Sequence, residues 1–387
     1  MAAVCPLHIA FCGCAGVLTE RIIAMADQRY AADTTVPGCD YLVRLPAGRT
    51  PRILQLTDMQ VIDATQQRYS GRLNEKEVIC WAPENADAEC YGHIRSLVAQ
   101  TNPDLIFITG DIVYGEFDDS GRSLEQFCAF MNGLCIPWAP VFGNHDNESA
   151  RGVAWQCDLL ESGEYCLFRR GNVTGNGNYT VGISVGGRLC RVLYMMDSNG
   201  CGGGTDPALC RAAGFAPDQV AWLRTRGEAV GQAGNIPGTV AFHIPTSDFL
   251  LAARSCGYET EDTKRNYVIG VDVPARNGDF GCRREMHSAF ASPEGFRDAM
   301  RAARVDGVFV GHDHAINTSV LWQGIRWTYG FKTGQYDYHI PGHMGGTLVT
   351  LNPWATPGAL PDNSESAPFT VRHVPALTLY GPFPNGI

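Results

Sequence analysis

A chain of 387 residues, 45% of them hydrophobic, carries enough apolar material for a sizeable core, and α/β folds of this length commonly form one domain. With 40 acidic against 30 basic residues the formal net charge is -10, which argues against a surface built for nucleic acid or another polyanion. No stretch is long and apolar enough to span a bilayer.

Residues 1–50 read as a leader followed by an entry strand, and residues 51–387 as a single domain. The run from Val4 to Leu18 is mostly apolar, and Ala24-Met25-Ala26 fits a small-x-small cleavage site. No Lys or Arg precedes that run and His8 interrupts it, so a weak export signal and a plain leader both stay open. Ile53–Leu56, Leu105–Ile108, Trp138–Phe142, Leu193–Met196, Thr239–Phe242 and Val308–Val310 are short branched or aromatic runs, most of them cut off by Gly, Asp or a polar residue. Such runs read as buried strands. Helices are predicted near His93–Gln100, Ser123–Asn132, Asp218–Val230 and Pro293–Ala303. In the second of these Leu124, Phe127, Cys128 and Met131 share one face, and Pro217 suits the start of the third. Runs at 318–329, 347–351 and 370–374 read as antiparallel strands. Residues 155–215 and 254–288, rich in Gly, Cys, Asn and Arg without a clear period, are expected to be loops over the rim of a site.

Five polar motifs stand at or just past the ends of these strands. They are Thr57-Asp58-Met59-Gln60, Gly110-Asp111-Ile112-Val113-Tyr114, Gly143-Asn144-His145-Asp146, His243-Ile244-Pro245 and Gly311-His312-Asp313-His314. In α/β sheets, sites form beyond the carboxyl ends of the strands. Two Asp, one Asn and three His delivered there make a set of hard oxygens and imidazoles, which suits two adjacent metal ions. Alone, Asp58 or Asp111 would read as a turn residue and His243 as a core histidine; six such coincidences in one order are improbable.

The order of the motifs resembles the calcineurin-like metallophosphoesterases, whose blocks are D-x-H, G-D-x-x, G-N-H-D/E, a lone His and G-H-x-H. The likeness spans about residues 50–350, and its finer details are similar to the purple-acid-phosphatase-related branch. It implies a calcineurin-like α/β sandwich of two mixed β-sheets flanked by helices. It also implies a dinuclear centre of divalent or trivalent ions (Fe, Mn or Zn). Asp111 would bridge, Asp58 and His314 would complete one site, and Asn144, His243 and His312 the other. His145 would protonate the leaving alkoxide. Asp146 would either orient His145 or cap its loop, and Asp197 would support a ligand or His145.

One block departs, because Gln60 stands where most relatives outside the purple acid phosphatases have His. Purple acid phosphatases also lack that His and use a Tyr three residues after the bridging Asp, the place of Tyr114 here. Gln60 would then be a hydrogen-bonding neighbour or a weak neutral oxygen ligand, and Tyr114 either a phenolate ligand or a packing residue. Lys332, in Gly330-Phe331-Lys332-Thr333-Gly334, is expected either to contact phosphate or to face solvent, and His339 and His343 stand nearby in sequence.

The resemblance implies hydrolysis of phosphate esters, monoesters in preference, by water activated on the two ions, which lower its pKa towards roughly 7. A phosphodiesterase on the same centre is the alternative within enzymes. A metal-poor pseudoenzyme that binds a phosphorylated ligand is the alternative outside them. The substrate would be a phosphorylated small molecule or a phosphoprotein, and no feature of the sequence fixes an oligomeric state. Fifteen cysteines, many in polar stretches such as Cys157, Cys166, Cys190 and Cys210, favour disulfides and an exported protein over a reduced cytoplasmic one.

Overall fold

The computed structural model describes residues 36–63, 65, 86–200, 213–257, 266–340 and 342–377. The leader with its cleavage site lies outside the described residues. From the amino end, β1 (Tyr41–Leu45) and β2 (Arg52–Leu56) precede helix α1 (Ala86–Thr101), which leads into β3 (Leu105–Thr109). Helix α2 (Arg122–Gly133), β4 (Trp138–Val141) and α3 (Gly152–Glu161) follow, then the hairpin of β5 (Tyr179–Val185) and β6 (Arg188–Met195). Next come α4 (Pro217–Gly231), β7 (Gly238–Ala241), α5 (Asp248–Ser255), the short pair β8 (Tyr267–Val268) and β9 (Cys282–Arg283), and α6 (Phe296–Ala302). The chain closes with β10 (Val305–Val310), β11 (Ser319–Trp322), β12 (Ile325–Tyr329), β13 (Gly345–Leu351) and β14 (Phe369–Pro375).

The longer strands form two mixed sheets, one ordered β1-β5-β6-β7-β10-β12-β11 and the other β14-β13-β2-β3-β4. Side-chain alternation explains how they stack. In the first sheet Leu193, Met195, Ala241 and Phe309 point into a core shared with Ile53, Leu105 and Phe107 of the second. Their neighbours Val192, Tyr194, Val240, Val308 and Val310 turn the other way, into a core with Leu223 of α4, Phe249 of α5 and Phe296 and Met300 of α6. Phe107 and Phe309 meet edge to face across the sheets, with ring centroids 5.6 Å apart. Each such fully buried side chain contributes about 1.5–3 kcal/mol over leaving it exposed. On the far side of the second sheet, Ile94 and Leu97 of α1 and Leu124, Phe127 and Met131 of α2 complete the sandwich.

Two expectations need correction. The segment 155–215 is not all loop: it holds most of α3 and the whole β5–β6 hairpin. Gly186 and Gly187, with φ of 57° and 81°, form its tight turn, a conformation that glycine adopts without strain. Alternation in Tyr179–Val185 was hidden by the glycines around it. The second correction concerns cysteine. All nine described cysteines are free, among them Cys157 on α3 and Cys166, both buried in the core. Burial pushes the Cys157 thiol up to about 12, as an inert structural cysteine requires. The disulfide expectation thus fails for these positions, and with it their support for export; Cys201 and Cys210 lie outside the described residues. No helix among the described residues is long and apolar enough to cross a membrane.

Candidate metal centre

Strand register places the motif residues. Leu56 pairs with Ile108, Thr109 with Val141, and Ala241 with Phe309, so parallel neighbours end at the same level. Asp58, Asp111, Asn144, His243, His312 and His314 follow two to four residues past their strands. Gln55 ties the sheets together beneath them, its amide donating to Thr109 Oγ1 at 2.9 Å and to the Val310 carbonyl at 3.0 Å. The turns there are strained: Asp58, Gln60, Asp111 and His312 have φ of 53°, 50°, 51° and 76°. Left-handed backbone costs a residue with a Cβ about 1–2 kcal/mol, and such strain concentrates where function demands a particular aim. Close packing fixes the motif glycines too, because a Cβ on Gly311 would collide with Thr57 and Asp58, and one on Gly143 with Asp111.

Asp58, Asp111 and His314 come together, each offering a ligand atom within 4.8 Å of the others, and all three are buried. His314 Nε2 lies 3.4 Å from Asp58 Oδ1. Its Nδ1 meets the Tyr338 carbonyl at 3.0 Å, and the ring stacks on Tyr338, which sets the tautomer and leaves Nε2 for the centre. Beside this cluster His243 Nε2 stands 3.0 Å from Asn144 Oδ1 and 3.3 Å from Asp111 Oδ2, with Nδ1 held by the Thr109 carbonyl at 2.7 Å. The His312 ring meets that of His243 edge on, centroids 5.1 Å apart. Asp111 therefore faces both groups. Burial would raise the Asp111 carboxyl, but the adjacent His243 and His145 hold it well below the usual carboxylate range. The same contest, with His314 as partner, lowers Asp58. Buried carboxylates, imidazoles and an amide oxygen converging in this way fit two borderline or hard cations.

His145 extends from the same loop as Asn144. Its backbone N–H donates to Asp111 Oδ1 at 2.9 Å, and its Nδ1 meets Glu148 Oε2 at 2.9 Å. Burial opposes its protonation, yet the Asp111 charge and the Glu148 hydrogen bond raise its pKa to about 9. Glu148 thus holds the place expected for Asp146. Asp146 instead caps the loop, accepting from the backbone N–H of Gly143 at 2.7 Å and of Val113 at 3.0 Å. Glu148 escaped the sequence reading, although a carboxylate three residues from His145 within a single turn was the available signal. Tyr114 is buried with Ile62, Phe117 and Tyr336, and its ring stacks on His145 at 4.0 Å.

Lys332 is neither exposed nor on a substrate surface. It is 2% exposed, and its Nζ donates to Gln60 Oε1 at 2.7 Å and to the Asp58 carbonyl at 3.0 Å. Gln60 in turn sends its amide nitrogen towards Asp111 Oδ2 at 3.4 Å. Asp197 braces its own loop, accepting from Asn176 N–H at 2.7 Å and Asn199 N–H at 2.8 Å. His339 is buried beside Asp337, and His343 lies 3.6 Å from Cys282 Sγ.

A family model for calcineurin-like phosphoesterases matches residues 51–315. A protein named probable inactive purple acid phosphatase 29, from Arabidopsis thaliana, is 24% identical over 324 residues, covering 76% of this chain and 74% of its own length. Phosphatase DCR2 of Saccharomyces cerevisiae is 28% identical over 164 residues, 38% of this chain and 26% of that protein. Among solved structures, a dimetal phosphatase from Danio rerio aligns over 78% of this chain and 93% of its own, at 13% identity and a TM-score of 0.46.

Proposed function

This chain belongs to the calcineurin-like phosphoesterase family, and we propose that it hydrolyses phosphate esters, monoesters in preference, on a dinuclear metal centre. The observation that carries the reading is the convergence of Asp58, Asp111 and His314 within 4.8 Å beside His243, Asn144 and His312. Asp58, Asp111 and His314 would hold one ion; Asp111, Asn144, His243 and His312 the other. Two bound cations supply the positive charge that neutralises a phosphate and activates water. His145 gives the proton. With Nδ1 turned to Glu148, Nε2 is the nitrogen that delivers it to the leaving alkoxide. Glu148 fixes that tautomer, and Tyr114 packs against the flat of the ring. Preference for monoesters rests on the phosphatase names of the relatives.

Purified protein assayed with paired chromogenic mono- and diesters, alongside metal analysis, tests this. Turnover of the monoester with about two metals per chain is expected. A second reading, a phospho-ligand-binding protein poor in metal, draws on the Gln60–Lys332 contact and on the word "inactive" in a relative's name. It predicts tight binding of inorganic phosphate with no turnover of either ester.

A further inference from the structure

Gln60 and Lys332 form a pair inside the centre that the dinuclear reading leaves without a task. The only atom of the Gln60 side chain able to ligate a cation is Oε1, and that oxygen already accepts from Lys332 Nζ at 2.7 Å. Its other end, Nε2, is turned to Asp111 at 3.4 Å. Lys332 cannot easily swing away. Thr333 N–H donates to the Thr57 carbonyl at 2.9 Å, Thr57 N–H to Thr333 Oγ1 at 3.2 Å, and Gly334 N–H to the Asp58 carbonyl at 3.3 Å. A Cβ on Gly334 would strike the backbone of Met59, so the two segments lie in direct contact. Both acceptors of the Nζ group are oxygens; burial lowers the Lys332 pKa from its ordinary value, while the neighbouring charges of Asp58, Asp337 and Asp111 oppose that and favour the protonated form. On the other half, among the described residues, no Lys or Arg hydrogen-bonds to Asn144, His243 or His312.

We propose that the Lys332–Gln60 pair is an internal cation that weakens metal binding at the Asp58–His314 half, so that the centre fills in order, the Asn144–His243–His312 half first. The proposal rests on the dinuclear reading. Two effects act in the same direction: the half has no free ligand atom at position 60, where the Gln60 oxygen is already taken, and it gains a like charge close by in a site of low dielectric, where repulsion is weakly screened.

Calorimetric titration of the metal-stripped protein with Mn²⁺ alone, at neutral pH, tests it. The wild type is expected to show two events with affinities about tenfold or more apart, and Lys332→Met to tighten only the weaker one by about tenfold. Lys332→Gln, which keeps a hydrogen bond to Gln60, should do the same and stands in if the Met variant fails to fold. His314→Ala should delete the weaker event and His312→Ala the tighter. Two wild-type events of equal affinity, or loss of the tighter event in His314→Ala, overturns the proposal, as does an unchanged weaker event in a folded Lys332 variant. Absence of any Mn²⁺ binding would overturn the dinuclear reading instead.

Discussion

The two halves of the centre are built differently. His243 meets two neighbouring ligand candidates, Asn144 and Asp111, and the Thr109 carbonyl that aims its ring. Around Asp58 the shell includes a buried lysine and a glutamine whose oxygen is already taken. His145, the proposed acid, follows Asn144 of the first half in the chain, and its backbone N–H donates to the shared Asp111. On the proposed reading, catalytic geometry and metal supply are separable: one half fixes the proton donor, and the other governs how readily the second ion enters.

Substitutions break this comparison in graded ways. Asp111 serves both halves, so Asp111→Asn should abolish turnover and lower metal content by elemental analysis; near-normal activity with two metals bound would end the bridging role. His145→Asn should keep both metals yet slow alkyl phosphates by roughly 10²–10⁴-fold, with a smaller loss for aryl phosphates whose leaving groups need less protonation. Equal losses on both substrate types would make His145 a phosphate-positioning group. Glu148→Gln should reduce the rate by about tenfold and move the alkaline limb of the pH–rate profile to lower pH. The sign follows from the contacts: Glu148 helps raise the His145 pKa, the protonated ring is the active form, and activity is lost as pH rises through that pKa. An unmoved limb would leave Glu148 a purely structural brace. Tyr114→Phe keeps the stacked ring and should change the rate least. Iron-loaded protein is expected to lack a tyrosinate charge-transfer band, and a visible band removed by this substitution would make Tyr114 a ligand.

Much of this centre was legible in the sequence because each motif residue lies just beyond an apolar strand, and strand ends in parallel register converge on one edge. Helices α2 and α4 were equally plain, from the face of Leu124, Phe127 and Met131 and from Pro217 at a helix start. What stayed hidden depends on the three-dimensional path of loops. The single turn at His145–Glu148 decides between two carboxylates: Glu148, three residues on, reaches His145, and Asp146 turns back to the Gly143 and Val113 amides. Lys332 looked like a surface or phosphate-contacting residue because its burial arises from a contact with a segment more than 270 residues away. Cys157 looked like a loop cysteine because the glycines that follow it obscured α3.

Metal titration coupled to turnover tests the central claim most directly. Metal-stripped protein receives Mn²⁺ in steps while hydrolysis of a chromogenic monoester is followed. Activity is expected to stay low through the first equivalent and to appear as the second binds, since both halves must hold an ion for the chemistry. Full activity at one equivalent, or none with two bound, would contradict a dinuclear phosphoesterase.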